Sequence, residues 1–189
     1  MATEVRTKLL NGVDVGQLMH TVDAIKKDPS LAHFEFRAHT EWMDGARSRT
    51  EIRGFHGAGK EDASREEPLV LFGDEPPVLL GSNSAPNAVE TVLHGLASCL
   101  AVGIVYNAAA RGIEIRELTF DLEGDLDLRA FLGLSEEVRP GFGDIRVNYR
   151  ISADGSQEEI EELCQHVQRT SPVLDIIANP VPISVTLEE

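Results

Sequence analysis

The sequence predicts an antiparallel α+β fold, and three observations predict it. Strand signals come in hairpins instead of alternating with helices, which argues against a parallel βαβ sheet. One helix of about 25 residues, apolar on nearly every side, occupies the middle of the chain. A shorter amphipathic helix follows the last hairpin, giving the order β-β-β-α-β-β-α-β behind a leading helix.

The leading helix spans residues 14–28. Asp14 can cap it, Leu18, Val22 and Ile25 form a stripe of helical period, and Asp28-Pro29 stops it. It reads as an appendage, so residues 1–30 are set apart from a main domain over 31–189. A hairpin follows. Phe34, Phe36, Ala38, Thr40 and Trp42 alternate with polar residues, Asp44-Gly45 supplies the turn, and Arg47–Phe55 returns. The polar stretch Gly57–Glu67 reads as an exposed loop, and Leu69–Phe72 as a further strand ended by Asp74-Glu75-Pro76-Pro77. For the central helix, Asn87 and Glu90 have capping-box spacing and Gly112 is a C-terminal stop. Strands are predicted at Ile113–Asp125 and Ile145–Ile151, separated by an insertion over Leu126–Phe142. In the second of these, Ile145, Val147, Tyr149 and Ile151 share one face, with Arg146, Asn148 and Arg150 on the other. Ser156 and Glu159 form another capping box, opening a helix to about Arg169. After Ser171-Pro172 an apolar segment leads to Pro180 and a terminal strand, Ile183–Leu187.

The net charge of −15, from 32 acidic and 17 basic side chains, argues against nucleic-acid binding, which wants a basic face. Cys99 and Cys164, 65 residues apart, match neither zinc spacing nor a secreted disulfide framework. The start has no apolar signal core, so a cytoplasmic protein is expected. Val92–Ala110 has about the length of a bilayer span. It carries His94, Ser98 and Asn107 and lacks polybasic flanks and aromatic belts. It therefore reads as the centre of a soluble core or of a subunit interface, and an intimate homodimer is the simplest way to cover it. No membrane partner is expected.

The chemistry-bearing residue types are few. Cys99 sits mid-helix, about 18 Å from the helix start and beyond the reach of its dipole, so an ionised sulfur there needs a neighbouring cation. Arg47, Arg49 and Arg53, just past the first hairpin turn, are the candidates. Glu90 has capping as its simplest role. His94 and His56 have no partner at metal spacing, and neither GxSxG, HExxH nor a phosphate loop occurs. No metal or cofactor is expected.

The run DEPPVLLGSNSAPNAVETVLHGLASCLAVGIVYNAAARGIEI resembles the signature of the OsmC/Ohr family, as does the ending RTSPVLDIIANPVPISV. The resemblance covers residues 33–187. It implies an OsmC-like fold, with antiparallel sheets around two long central helices in an intertwined homodimer and a site at each subunit junction. It also implies thiol peroxidase chemistry: a cysteine thiolate attacks an organic hydroperoxide, an arginine of the early strands supports it, and a glutamate orients the arginine. A second cysteine then closes a disulfide. By position Cys99 matches the peroxidatic cysteine, and Arg49 the arginine, with Arg47 second.

Two departures follow from the resemblance. The family's second cysteine precedes a proline in the last helix, where this chain has Ser171 before Pro172. Cys164 lies seven residues earlier, about 10 Å along a helix, too far to replace it without backbone movement. The hydroperoxidase glutamate falls at Val89, with Glu90 one residue away. The leading expectation is a peroxidase in oxidative-stress defence that works through Cys99 alone and is resolved by an external thiol. The alternative is a non-catalytic dimer binding a small apolar ligand at the subunit junction.

Overall fold

The computed structural model describes residues 9–188, which divide into two compact units: residues 14–92, and residues 9–13 with 93–188. Residues 1–8 of the predicted appendage lie outside the described residues. Short strands β1 (Leu9–Leu10) and β2 (Val13–Asp14) flank an Asn11-Gly12 turn whose two residues have φ of 54° and 78°. That left-handed geometry is what Asn and Gly tolerate.

In the first unit, α1 (Val15–Lys27) begins where the Asp14 side chain accepts from the Gln17 N–H at 2.9 Å and ends at Asp28, as the sequence predicts. It buries no residue. Strands β3 (His39–Asp44) and β4 (Arg47–Ile52) form the expected hairpin through Gly45, whose φ is 51°. The strand is shorter than its alternation suggests: residues 34–38 lie outside it, joined to Phe55–Gly57 by a Glu35–His56 bridge and by packing of the Phe34 and Phe36 rings on Phe55. The stretch read as a loop holds a second small hairpin, β5 (Phe55–Gly57) and β6 (Lys60–Asp62). Its turn is Ala58-Gly59, and Ala58 at φ 50° is not a residue that announces a left-handed turn. Strand β7 (Leu69–Gly73) adds to β4, giving the antiparallel order β3-β4-β7. Trp42, Leu69, Leu71 and Phe72 of this sheet remain exposed, so its alternation buries no hydrocarbon core within the chain.

Helix α2 (Ala88–Arg111) opens with the predicted capping box: Glu90 accepts from the Asn87 N–H at 2.9 Å, and Asn87 from the Glu90 N–H at 2.8 Å. It closes on Gly112 at φ 78°, with Ile113 N–H reaching Ala108 C=O at 2.9 Å and Gly112 N–H reaching Ala109 C=O at 3.2 Å. By length and composition this helix could cross a membrane, and 17% of its most apolar stretch is buried within the chain.

The second unit carries the core. Strands β8 (Ile115–Leu126) and β9 (Phe142–Ala153) form one long antiparallel pair. The insertion between them contains a single turn, α3 (Leu128–Phe131). Leu118, Phe120 and Leu122 face the core opposite Ile151, Tyr149 and Val147. The other face pairs Arg150 with Asp121 and Arg146 with Glu123, Asp125 and Asp144, as the alternation of β9 predicts. Helix α4 (Gln157–Thr170) has the predicted Ser156–Glu159 capping box, and α5 (Pro172–Ala178) follows it directly. Ile160, Leu163, Cys164 and Val167 of α4 pack against Leu96, Leu100, Ile104 and Ala108 of α2 in one cluster. Gly103 allows that approach, because a Cβ there would stand 2.7 Å from Val167 Cγ1. Asn11 ties the start of β8, donating to Ile113 C=O at 2.9 Å and accepting from Ile115 N–H at 2.8 Å.

The predicted strand Ile183–Leu187 is not formed. Residues 179–188 carry no regular structure, and Ile183, Val185 and Leu187 are 79%, 92% and 92% exposed. Alternation supplies a strand's side chains but not its ladder partner, and no described strand lies alongside this segment.

Candidate functional site

Cys99 lies one residue from the buried Leu100 and is itself half-buried. Helical spacing puts it on the same stripe as Val102 and Tyr106, which are exposed. Its sulfur therefore sits at the border between the core row of α2 and an apolar face open to the outside.

The Ser171 Oγ donates a hydrogen bond to the Cys99 Sγ at 3.2 Å. Ser171 is buried, at 5% exposure, and also caps α5, accepting from the Leu174 N–H at 3.3 Å. With both lone-pair and proton directions engaged, the hydroxyl is fixed on the sulfur. The structure thus brings Cys99 together with Ser171, the position that the sequence reading singled out for lacking a thiol. Cys164 is not part of this arrangement. It is buried in the core cluster, beside Leu100, Ile104 and Val167.

The early arginines belong to the first unit and have partners there. Arg47 spans the hairpin turn with two bonds to Asp44, 2.7 and 2.9 Å, and this pairing raises the basicity of Arg47 and lowers the pKa of Asp44. Arg49 is held by Glu51 at 2.7 Å, and Arg53 shares the same carboxylate at 3.1 Å. Both guanidinium groups, Arg49 first, hold Glu51 below the ordinary carboxylate range. Glu51 was not among the expected site residues. Its i,i+2 spacing from Arg49 on one strand face was the available signal. Glu90, in contrast, is engaged in its capping box.

A second carboxylate missed by sequence reasoning organises the DEPPVLLGSNS loop. Asp74, 3% exposed, accepts from the Ser82 and Ser84 hydroxyls at 2.6 and 2.7 Å and from the Ser84 and Glu75 N–H groups at 2.9 and 2.8 Å. These donors, Ser82 first, hold it well below the usual carboxylate range. The loop folds back so closely that a Cβ on Gly81 would overlap the Glu75 carbonyl oxygen. Among the described residues, no three His, Cys, Asp or Glu side chains converge as a metal site.

The comparisons fit this architecture. The fold is similar to an OsmC-like protein from Mycoplasma pneumoniae, with a TM-score of 0.59 at 15% identity over 77% of this chain and 89% of that one. It is also similar to an OsmC-like protein of unknown function from Vibrio cholerae (0.56, 11%, 75% and 92%). A third neighbour is an organic hydroperoxide resistance protein, OsmC, from Legionella pneumophila (0.51, 20%, 75% and 88%). No curated protein matches. The family model described as OsmC-like protein matches residues 81–186, a span that holds α2 with Cys99, the β8–β9 pair, α4 and Ser171. With more than half of its length so matched, the chain belongs to the OsmC-like protein family.

Proposed function

We propose that this OsmC-like protein reduces organic hydroperoxides through Cys99 alone, as a cytoplasmic homodimer in oxidative-stress defence. The observation that carries the reading is the buried Ser171 hydroxyl aimed at the Cys99 sulfur at 3.2 Å. One OsmC-fold neighbour being an organic hydroperoxide resistance protein supports the substrate class.

In the proposed reaction the Cys99 thiolate attacks the outer oxygen of ROOH. An S–O bond forms, the O–O bond breaks, and the alkoxide leaves to take a proton as ROH. The Ser171 hydroxyl stabilises the anionic sulfur before attack and the sulfenic acid after it. No thiol stands at position 171 to close a disulfide, so an external thiol condenses with the sulfenic acid and releases water. A second external thiol then displaces Cys99 and leaves as the disulfide. Arg49, held in orientation by Glu51, is the proposed cation for the leaving alkoxide, with Arg47 second. Glu90 serves by capping the helix that carries Cys99.

The exposed apolar face of α2 around Val102 and Tyr106 supports a second copy seated there. Covering that face would shut Cys99 off from bulk water and strengthen charge interactions at its sulfur.

The test is exposure to dilute cumene hydroperoxide with peptide mapping of both thiols. Cys99 is expected to oxidise ahead of Cys164. An unmodified Cys99 under conditions that oxidise free cysteine overturns the reading.

A further inference from the structure

The second unit contains a cavity of about 140 Å³ that the Cys99 chemistry does not use. Leu100 and Ile104 of α2, Phe120 and Val147 of the sheet, and Leu174 of α5 give it hydrocarbon walls. Its polar edge is made by Tyr149, Gln168 and Cys164. Gln168 Nε2 donates to the Tyr149 Oη at 3.3 Å, so the phenolic proton points elsewhere; its resident partner is the weakly accepting Cys164 sulfur, which a carbonyl or ether oxygen in the cavity would displace. Burial, and then the Cys164 thiol, push the Tyr149 phenol above its ordinary pKa, so it is a neutral O–H donor at physiological pH.

We infer that this cavity is a binding site for a small apolar molecule with one hydrogen-bond acceptor, a single ring or branched chain carrying a carbonyl or ether oxygen. Size sets the first limit: apolar cavities of about 150 Å³ hold one benzene-sized molecule. Chemistry sets the second. The cavity has hydrocarbon on most sides and neutral polar groups at one edge, and no Lys, Arg, Asp or Glu lines it, so a charged ligand would lose its hydration without compensation. The acceptor oxygen meets the Tyr149 O–H while the ring lies against Phe120 and the α2 leucine and isoleucine. The site is independent of turnover at Cys99.

Cyclohexanone and benzene, titrated into the full-length methyl-labelled protein, test this by NMR. Cyclohexanone is expected to shift the methyls of Leu100, Ile104, Val147 and Leu174 saturably, with a Kd of about 1 mM, as its few heavy atoms allow. Tyr149→Phe should weaken cyclohexanone about tenfold, the worth of one hydrogen bond, while leaving benzene nearly unchanged. Leu174→Trp should abolish both. If that variant does not fold, the methyl shifts and Tyr149→Phe decide alone. Unsaturable or scattered shifts, or cyclohexanone binding indifferent to Tyr149→Phe, overturn the inference. Hydroperoxide consumption by Tyr149→Phe is expected to equal that of the unaltered protein, which separates this test from the one on Cys99.

Discussion

The Ser171 hydroxyl donates to the Cys99 sulfur across 3.2 Å, joining the N-cap of α5 to the middle of α2. The two residues are 72 positions apart, and only the packing of α4 on α2 brings them together. Gly103 leaves room in that packing, where a Cβ would stand 2.7 Å from Val167 Cγ1.

Ser171→Cys is expected to form a disulfide with Cys99 under mild oxidation, because a sulfur at Oγ would fall within bonding reach after a small rotation. Non-reducing peptide mapping reads it. Finding the two peptides separate after treatment with oxidised glutathione would show that the Oγ direction does not translate to sulfur.

Ser171→Ala removes both the donor to sulfur and the cap of α5. Loss of the cap should cost about 1 kcal/mol, which lowers Tm by about 2–4 °C for a chain of this size. Alkylation of Cys99 by iodoacetamide at pH 7 should slow several-fold, whereas that of Cys164 in the denatured protein should not change. Equal Cys99 rates in the two proteins would mean that the hydroxyl has no influence on the sulfur.

Cys99→Ser is expected to abolish thiol-dependent consumption of cumene hydroperoxide, and Cys164→Ser to retain most of it. A binding protein without turnover would show no consumption in any variant, and would keep its apolar ligand in Cys99→Ser.

Gly103→Ala forces a methyl to within 2.7 Å of Val167 Cγ1. Overpacking of this kind costs about 1–3 kcal/mol, read as a fall in the denaturation midpoint. Pairing it with Val167→Ala should recover part of the loss, and the absence of any recovery would place the strain elsewhere.

The Asp74 loop gives a pH dependence with a definite sign. Because its donors hold the folded carboxyl below the ordinary 3.8, its stabilisation is complete above that value and is lost as the pH falls below it. Asp74→Asn should lower stability at pH 7 and flatten the acid limb between about pH 4 and pH 2. An acid limb unchanged by the substitution would rule out Asp74 as its origin.

What could be read from the sequence was whatever depends on near neighbours along the chain. The capping boxes at Asn87–Glu90 and Ser156–Glu159, the Asp44-Gly45 turn, the Gly112 stop and the two faces of β9 all rest on contacts within a few residues or on a backbone period. The Ala58-Gly59 hairpin was not legible, because alanine gives no sign of positive φ. Ile183–Leu187 shows the reverse failure: a strand pattern is local, but a strand also needs a neighbour to bond with. The residues around Cys99 depended on the tertiary structure for the same reason. A lone cysteine and a serine in place of a cysteine could be named from the sequence, yet the hydrogen bond between them is a distance of 3.2 Å between helices, set by how closely α4 and α5 pack on α2 and not by any spacing along the chain.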